Sequence, residues 1–209
     1  MTGTFIVFEG PEGGGKTLQL GRLAERLRDD GMDVVSTREP GGTQVGNGIR
    51  GILLGPGDYA ILPETEVLLL AAARAQHVRE VIRPALARGA WVLCDRFVDS
   101  TYAYQGGGSG LNRDALRPIQ QFATDGLEPD VRVLLDLPVE IGLQRRHADA
   151  GSVNRIDLAD VRYHQRVREA YLQLVAEMPD QWVVIDARNE PDVVQLQIWR
   201  QLHKRLAIA

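Results

Sequence analysis

The sequence predicts a three-layer α/β/α fold around a five-stranded parallel sheet, and three observations predict it. Five short apolar runs rich in β-branched residues recur along the chain, longer helical patterns separate them, and the runs show little polar alternation. Strands covered on both faces read this way, because neither face meets water. Right-handed crossovers then set the hand of the connections, and ligands of such sheets gather beyond the carboxyl ends of the strands.

The first run, Thr4 to Glu9, leads into a helix at about 16–29. The second, Asp33 to Thr37, precedes helices at about 44–54 and 64–88; Pro84 has no N–H to give and should kink or shorten the latter. The third, Ala90 to Asp95, is followed by a helix at about 112–124, and the fourth, Val131 to Leu137, by helices at about 138–148 and 158–177. Gln181 to Asp186 is the fifth run, and a helix at about 191–207 closes the chain; Pro138 and Pro191 suit first-turn positions. No repeat, low-complexity tract or long linker interrupts the 209 residues, so residues 1–209 read as one domain.

Composition removes several function classes. Apolar residues at 44% and charged residues at 25% are ordinary globular values, unlike those of disordered, collagen-like or coiled-coil chains. The lone cysteine, Cys94, has no internal disulfide partner and the N-terminus lacks a signal pattern, so a reducing, cytoplasmic setting is expected. No apolar run approaches the ~20 residues that span a bilayer, and a net charge of −4 gives no reason to expect a nucleic-acid or membrane surface. Two biases remain: glycine concentrates at 10–15, 41–57 and 106–110, and only two of the 24 basic residues, Lys16 and Lys204, are lysines.

Lys16 lies in the first of those clusters. Gly10-Pro11-Glu12-Gly13-Gly14-Gly15-Lys16-Thr17 fits G-x-x-x-x-G-K-[ST] between a strand and a helix, the setting this motif requires. Glycines let successive N–H groups point inward at phosphate oxygens, and the following helix presents its positive end there. Lys16 supplies a compact ammonium for the β- and γ-phosphates and Thr17 a hydroxyl for Mg2+, which makes the fold one of the phosphate-loop NTPase type. A planar guanidinium would not fit that cradle.

A cradle alone leaves GTPase switches, transport and partitioning ATPases, and small-molecule kinases open. No Asn-Lys-x-Asp guanine reader and no Leu-Ser-Gly-Gly-Gln element occurs, and Pro11 stands where partitioning ATPases carry a second Lys. The third run ends in Cys94-Asp95-Arg96, so Asp95 is a candidate outer ligand of Mg2+, partly through water, and Arg96 suits a second phosphate group beside it.

Further segments carry a resemblance. With the loop, Arg38-Glu39-Pro40-Gly41-Gly42-Thr43, Ala73-Arg74-Ala75-Gln76-His77, Asp95-Arg96-Phe97, Ser100 to Gln105 and Asn154-Arg155-Ile156-Asp157 make the chain resemble bacterial thymidylate kinases from Phe5 to about Asp186. That family moves the γ-phosphate of ATP to dTMP, giving dTDP and ADP. The resemblance implies that Gly10 through Thr17 bind ATP, and that Arg96 and Arg50 hold the acceptor monophosphate, where guanidinium geometry matches phosphate oxygens. It makes Arg74 the thymine reader, puts Glu39, Ser100, Thr101 and Gln105 among the dTMP contacts, and sets Tyr104 against the sugar, where it disfavours a 2′-hydroxyl. The glycines at 41–57 and 106–110 would shape loops on this acceptor side. One departure stands out: many members stack a Phe on the base four residues before the reading Arg, and here that residue is Leu70, which offers no offset stacking, a contribution of about 0.5–1.5 kcal/mol.

The resemblance also implies a mobile lid at about 145–157. Eukaryotic-type members carry an Arg at the position of Gly13, and its absence here shifts the extra charge to a lid arginine, Arg155 or Arg145. Arg146 and His147 flank the same stretch. Lys16, Arg96, Arg155, Arg145 and Glu12, the last near the acceptor sugar and metal, form the expected catalytic set. The attacking oxygen of dTMP is already anionic near neutral pH, so no histidine base is expected. A homodimer is expected from the family and from the Val67 to Ala73 run, while small molecules are the only other partners. A kinase of another acceptor, such as a deoxynucleoside, or a nucleotide-dependent switch remain the alternatives; Arg38, Arg50, Arg74 and Arg96 are superfluous in a switch.

Overall fold

The computed structural model describes residues 3–55, 59–148 and 159–206. Strand β1 (Thr4–Glu9) runs into helix α1 (Lys16–Asp29), and β2 (Val34–Arg38) into α2 (Gln44–Leu54) and α3 (Pro63–His77). After a short α4 (Arg83–Ala87) come β3 (Trp91–Asp95), α5 (Val98–Thr101), α6 (Arg113–Thr124), β4 (Val131–Asp136), α7 (Val139–Ala148), α8 (Val161–Glu177), β5 (Trp182–Asp186) and α9 (Pro191–Leu206). All strand pairs are parallel, in the order β2-β3-β1-β4-β5. The five strands are the five predicted runs, each end within one residue, and helices cover both faces of the sheet in a phosphate-loop NTPase-type arrangement.

Strand periodicity divides the core. Ile6 and Phe8 of β1 pack with Leu20, Leu23 and Leu27 of α1 and with Ile198 and Leu202 of α9. Phe5 and Val7 point the other way, to Val78, Ile82, Ala85 and Phe97. Successive side chains of a strand face opposite sides, so a central strand needs apolar residues at every position. Each large side chain so buried contributes roughly 1.5–3 kcal/mol.

Two helical stretches differ from the expectations. The helix expected over 64–88 is broken by a π-helical turn at Val78–Ile82, where the Arg83 N–H donates to the Val78 carbonyl, one residue further back than in an α-helix. Pro84, the next residue, lacks the N–H that regular register would use, so the wide turn absorbs its insertion. Gly106 to Gly108, expected to shape a loop, are helical: α5 passes into a π-helical segment, Tyr102–Gly108. A Cβ on Gly107 would stand 2.5 Å from the Ala170 Cβ, and one on Gly108 2.6 Å from the Tyr163 ring. These glycines let α8 approach closely; they are packing surfaces, not hinges.

The chain leaves β1 toward β2 on one side and β3 toward β4 on the other, so the winding of the chain reverses between the parallel strands β1 and β3. Such a reversal opens a crevice at the strands' carboxyl ends, where ligands of this fold class bind. Backbone bonds tie the tips together there, from the Arg96 N–H to the Phe8 carbonyl at 2.9 Å and from the Glu39 N–H to the Asp95 carbonyl at 2.9 Å.

Gly107→Ala tests the packing account. Alanine favours a helix by about 1 kcal/mol over glycine, yet the overlap with Ala170 should outweigh that gain and destabilise the protein by about 1–3 kcal/mol in urea unfolding. A variant as stable as the parent would show that the two helices are not in close contact.

Candidate active site

A cleft of about 490 Å3 opens at the switch point, bordered by the 12–18 segment, the ends of β2 and β3, α3 and the helical segment 98–108. Gly10, Gly13 and Gly15 all have positive φ, which curls the loop after β1. Gly13 has a second constraint: a Cβ there would lie 2.2 Å from the Gly142 carbonyl oxygen of α7. A Cβ at position 13 would therefore collide with the α7 backbone as it stands here. Lys16 is buried at the start of α1, its Nζ donating to the carbonyls of Gly10 at 2.9 Å and Pro11 at 2.8 Å. Burial and the neighbouring Arg96 lower its pKa to about 8, against the pull of Glu12, Asp95 and Glu9.

Arg96 links the loop after β1 to the segment after β3. Its backbone is left-handed, with φ 72, a conformation that a residue with a Cβ keeps only when its surroundings hold it there. Nη2 donates to Glu12 Oε1 at 2.8 Å and Nη1 to the Gly10 carbonyl at 3.2 Å, while the guanidinium lies 4.7 Å from the Tyr104 ring centroid. Burial opposes its charge, but Glu12 foremost outweighs that and raises its pKa well above the usual arginine value. Burial would likewise raise Glu12, yet Arg96, Lys16, the Tyr104 hydroxyl at 2.8 Å and Arg146 together bring it down to about 2. Glu12 is an anion in this site, with Tyr104 and Arg96 fixed on one of its oxygens.

Arg38, at the end of β2, and Arg50, on α2, border the cleft beside Arg96. Burial and repulsion from Arg38 lower the Arg50 pKa against attraction from Asp95, and Arg50 Nη1 donates to the Pro40 carbonyl at 3.0 Å. Like charges crowded this way mark a place built for an anion.

On α3, Glu66, Leu70 and Arg74 recur every four residues and all line the cleft. Arg74 is only 1% exposed, not a surface residue. Its Nε donates to Glu39 Oε2 at 2.7 Å, Nη1 to Thr101 Oγ1 at 3.1 Å and to Gln120 Oε1, and Nη2 to the Phe97 carbonyl at 2.8 Å. Four of its five N–H groups are thereby spent within the protein. Glu39 borders the cleft, is buried, and is committed to Arg74 and to His77 Nδ1 at 2.9 Å. Gln105 donates Nε2 to Glu66 Oε1 at 2.8 Å, and its own Oε1 is buried with no hydrogen-bond partner.

Thr17 donates its hydroxyl to Asp95 Oδ2 at 2.6 Å, which brings two hard oxygens together beside the cradle. This donor pair fits Mg2+, which takes few protein oxygens and draws its remaining ligands from water and phosphate. Arg145 and Arg146 border the cleft from α7, and Arg145 donates to the carbonyls of Ala187 at 2.8 Å and Arg188 at 3.2 Å. Arg155 and most of the expected lid lie outside the described residues.

The sequence-predicted residues from Glu12 to Thr17, and Glu39, Arg50, Leu70, Arg74, Asp95, Arg96, Ser100, Thr101, Tyr104, Gln105 and Arg145 all border one cleft. Three participants were not foreseen. Glu66 was findable as the next step N-terminal on the Leu70 and Arg74 stripe. Gln120 and Tyr171 reach the site from helices far along the chain, with no local pattern to mark them.

The thymidylate kinase family model matches residues 8–198. A thymidylate kinase of Pseudomonas putida (strain GB-1) is 50% identical over 198 residues, covering 95% of this chain and 94% of its own. One of Thermomicrobium roseum is 52% identical over 195 residues, covering 93% and 92%. Another, of Pseudomonas fluorescens (strain Pf0-1), is 54% identical over 187 residues, covering 90% and 89%.

Glu12 yields a stability test. A carboxylate whose folded pKa is about 2 against 4.5 when unfolded stabilises the fold above pH 4.5 and loses that contribution as pH falls toward 2. Glu12→Gln should therefore show a flatter acid limb, its stability falling by roughly 1 kcal/mol less than the parent's between neutrality and about pH 3.5 in urea unfolding. Parallel limbs would show that Glu12 is not held as a paired anion.

Proposed function

The chain belongs to the thymidylate kinase family, and from that premise we propose which residues of the cleft carry the transfer of the γ-phosphate from ATP to dTMP. The activity is that of an ATP-dependent nucleoside monophosphate kinase, with dTDP and ADP as products. One observation carries the assignment of roles: the buried ammonium of Lys16 in the cradle and the guanidiniums of Arg96, Arg50 and Arg38 border the same cleft from two sides.

The N–H groups of the Gly10 to Thr17 loop and the N-terminus of α1 take the donor phosphates. Lys16 leaves the Gly10 and Pro11 carbonyls for the β- and γ-phosphate oxygens, where its charge offsets what develops on the transferred group. Arg96 and Arg50 grip the dTMP phosphate, holding an oxygen in line with the γ-phosphorus; such positioning is the protein's main contribution to phosphoryl transfer. Leu70 packs on the thymine face, Arg74 turns its remaining N–H toward a base carbonyl, and Thr101, Gln105 and Ser100 complete the pocket. Tyr104, fixed by Glu12, stands against the sugar edge and leaves no room for a 2′-hydroxyl. Thr17, and Asp95 partly through water, would hold Mg2+, which when bound neutralises phosphate charge.

Within a single domain, Arg145 closes on the donor from α7; Arg155 and the rest of the expected lid lie outside the described residues. Arg145 begins from carbonyls it can exchange for phosphate oxygens. A homodimer is supported by the exposed apolar side chains Leu68 of α3 (59%) and Phe122 of α6 (82%), two helices that pack together. No helix among the described residues is long and apolar enough to cross a membrane, and the single, buried Cys94 suits a reducing cytoplasm.

Offering ATP with each nucleoside monophosphate in turn, in a coupled assay of ADP release, tests the acceptor; dTMP should give the highest kcat/KM, and a flat profile would contradict the base pocket. Lys16→Ala should fold normally and lose about 10²–10³ in kcat. Arg96→Ala should raise KM for dTMP far more than KM for ATP, and an equal rise in both would remove Arg96 from the acceptor site.

A further inference from the structure

Glu9 ends β1 immediately before the cradle, is 0% exposed, and stands behind the wall of the cleft. Its carboxylate accepts four hydrogen bonds. Oε1 takes the Phe97 N–H at 2.8 Å and the Ser100 N–H at 3.3 Å; Oε2 takes the Ser100 hydroxyl at 2.6 Å and the Tyr171 hydroxyl at 2.8 Å. A carboxylate offers about four lone-pair positions, so this group is saturated by its donors.

The donors share one neighbour. The two backbone groups belong to the turn at Phe97 and to α5, which directly follow Arg96, whose left-handed backbone needs an external hold. The two hydroxyl oxygens lie 3.3 Å (Ser100) and 3.4 Å (Tyr171) from Arg96 Nη1. Each hydroxyl has one hydrogen; giving it to Glu9 turns a lone pair toward the guanidinium.

We propose that Glu9 is a positioning residue for the acceptor-phosphate site, fixing Arg96 from behind through Ser100 and Tyr171. It rests on the reading of Arg96 as the dTMP-phosphate ligand. Glu9 supplies geometry: it pins the turn by its backbone bonds and polarises two hydroxyls so that they hold the guanidinium at the angle the phosphate requires. Gln at position 9 would keep an oxygen for the backbone N–H groups, which cannot reverse. Its amide would then face the hydroxyls as a donor and force at least one of them to turn.

Steady-state kinetics on the full-length enzyme, with ATP and dTMP varied separately, tests this in Glu9→Gln, Tyr171→Phe, Arg96→Ala and the Tyr171→Phe/Arg96→Ala pair. Tyr171→Phe keeps the buried ring, so it folds even where changes at Glu9 do not. Glu9→Gln and Tyr171→Phe should each raise KM for dTMP by roughly tenfold with KM for ATP within about twofold, and Tyr171→Phe should add nothing once Arg96 is alanine. Equal effects of Tyr171→Phe with and without Arg96 would overturn the inference, as would variants that lose thermal stability with both KM values unchanged. Failure of the phosphate reading is seen separately, as an Arg96→Ala enzyme whose KM for dTMP is unchanged, and it removes this inference as well.

Discussion

The contact on which the site depends is the ion pair of Arg96 and Glu12, 2.8 Å between Nη2 and Oε1. Glu12 belongs to the loop after β1 and Arg96 to the turn after β3, so the pair fastens two adjacent strand ends across the crevice. Its consequences spread outward. Tyr104 takes its place from the same Glu12 oxygen, and burial together with the neighbouring Arg96 lowers the Lys16 pKa to about 8. Breaking such a pair at one end strands a charge in a poorly hydrated place. On the proposed assignment, Glu12 and the Gly10 and Pro11 carbonyls satisfy, before substrates arrive, cations whose working partners are phosphates. Phosphate oxygens that replace these partners meet charges already in position, and preorganised charge is what lowers the barrier when the developing charge is spread over oxygens.

The base end of the cleft uses a different economy. Arg74 is held by Glu39, Thr101, Gln120 and the Phe97 carbonyl before any ligand arrives, so it has little rotamer freedom to lose on binding. Rigidity of this sort discriminates hydrogen-bond patterns sharply, because a mismatched base leaves buried polar groups unpaired. Leu70 beside it is the soft element, contributing contact area without directional stacking. On the proposed assignment, discrimination among bases therefore falls on the polar side chains of the pocket rather than on its apolar wall.

The legible parts of the molecule were those written locally. Strands came from apolar runs, the cradle from eight consecutive residues, and Asp95-Arg96 from its place at the end of β3, because each depends on neighbours in sequence. The cradle also explained its own lysine. Partners distant in sequence were not legible: Tyr171 meets Glu9 from 162 positions away, and Gln120 meets Arg74 from 46. Gly106 to Gly108 looked like a loop because glycine permits many backbones; only the approach of Ala170 and Tyr163 shows that these glycines clear space in a helix. The left-handed backbone of Arg96 left no trace in the sequence either, since an arginine there is chosen for its guanidinium and the strain is borne by groups elsewhere.

The most direct test of the central claim is a crystal structure with dTMP and a non-hydrolysable ATP analogue bound together. The account expects the dTMP phosphate within hydrogen-bond distance of Arg96, the base between Leu70 and Arg74, and Lys16 moved from the Gly10 and Pro11 carbonyls to the donor phosphates. A monophosphate bound elsewhere, with Arg96 still closed on Glu12 and Lys16 still on its own loop, would contradict it.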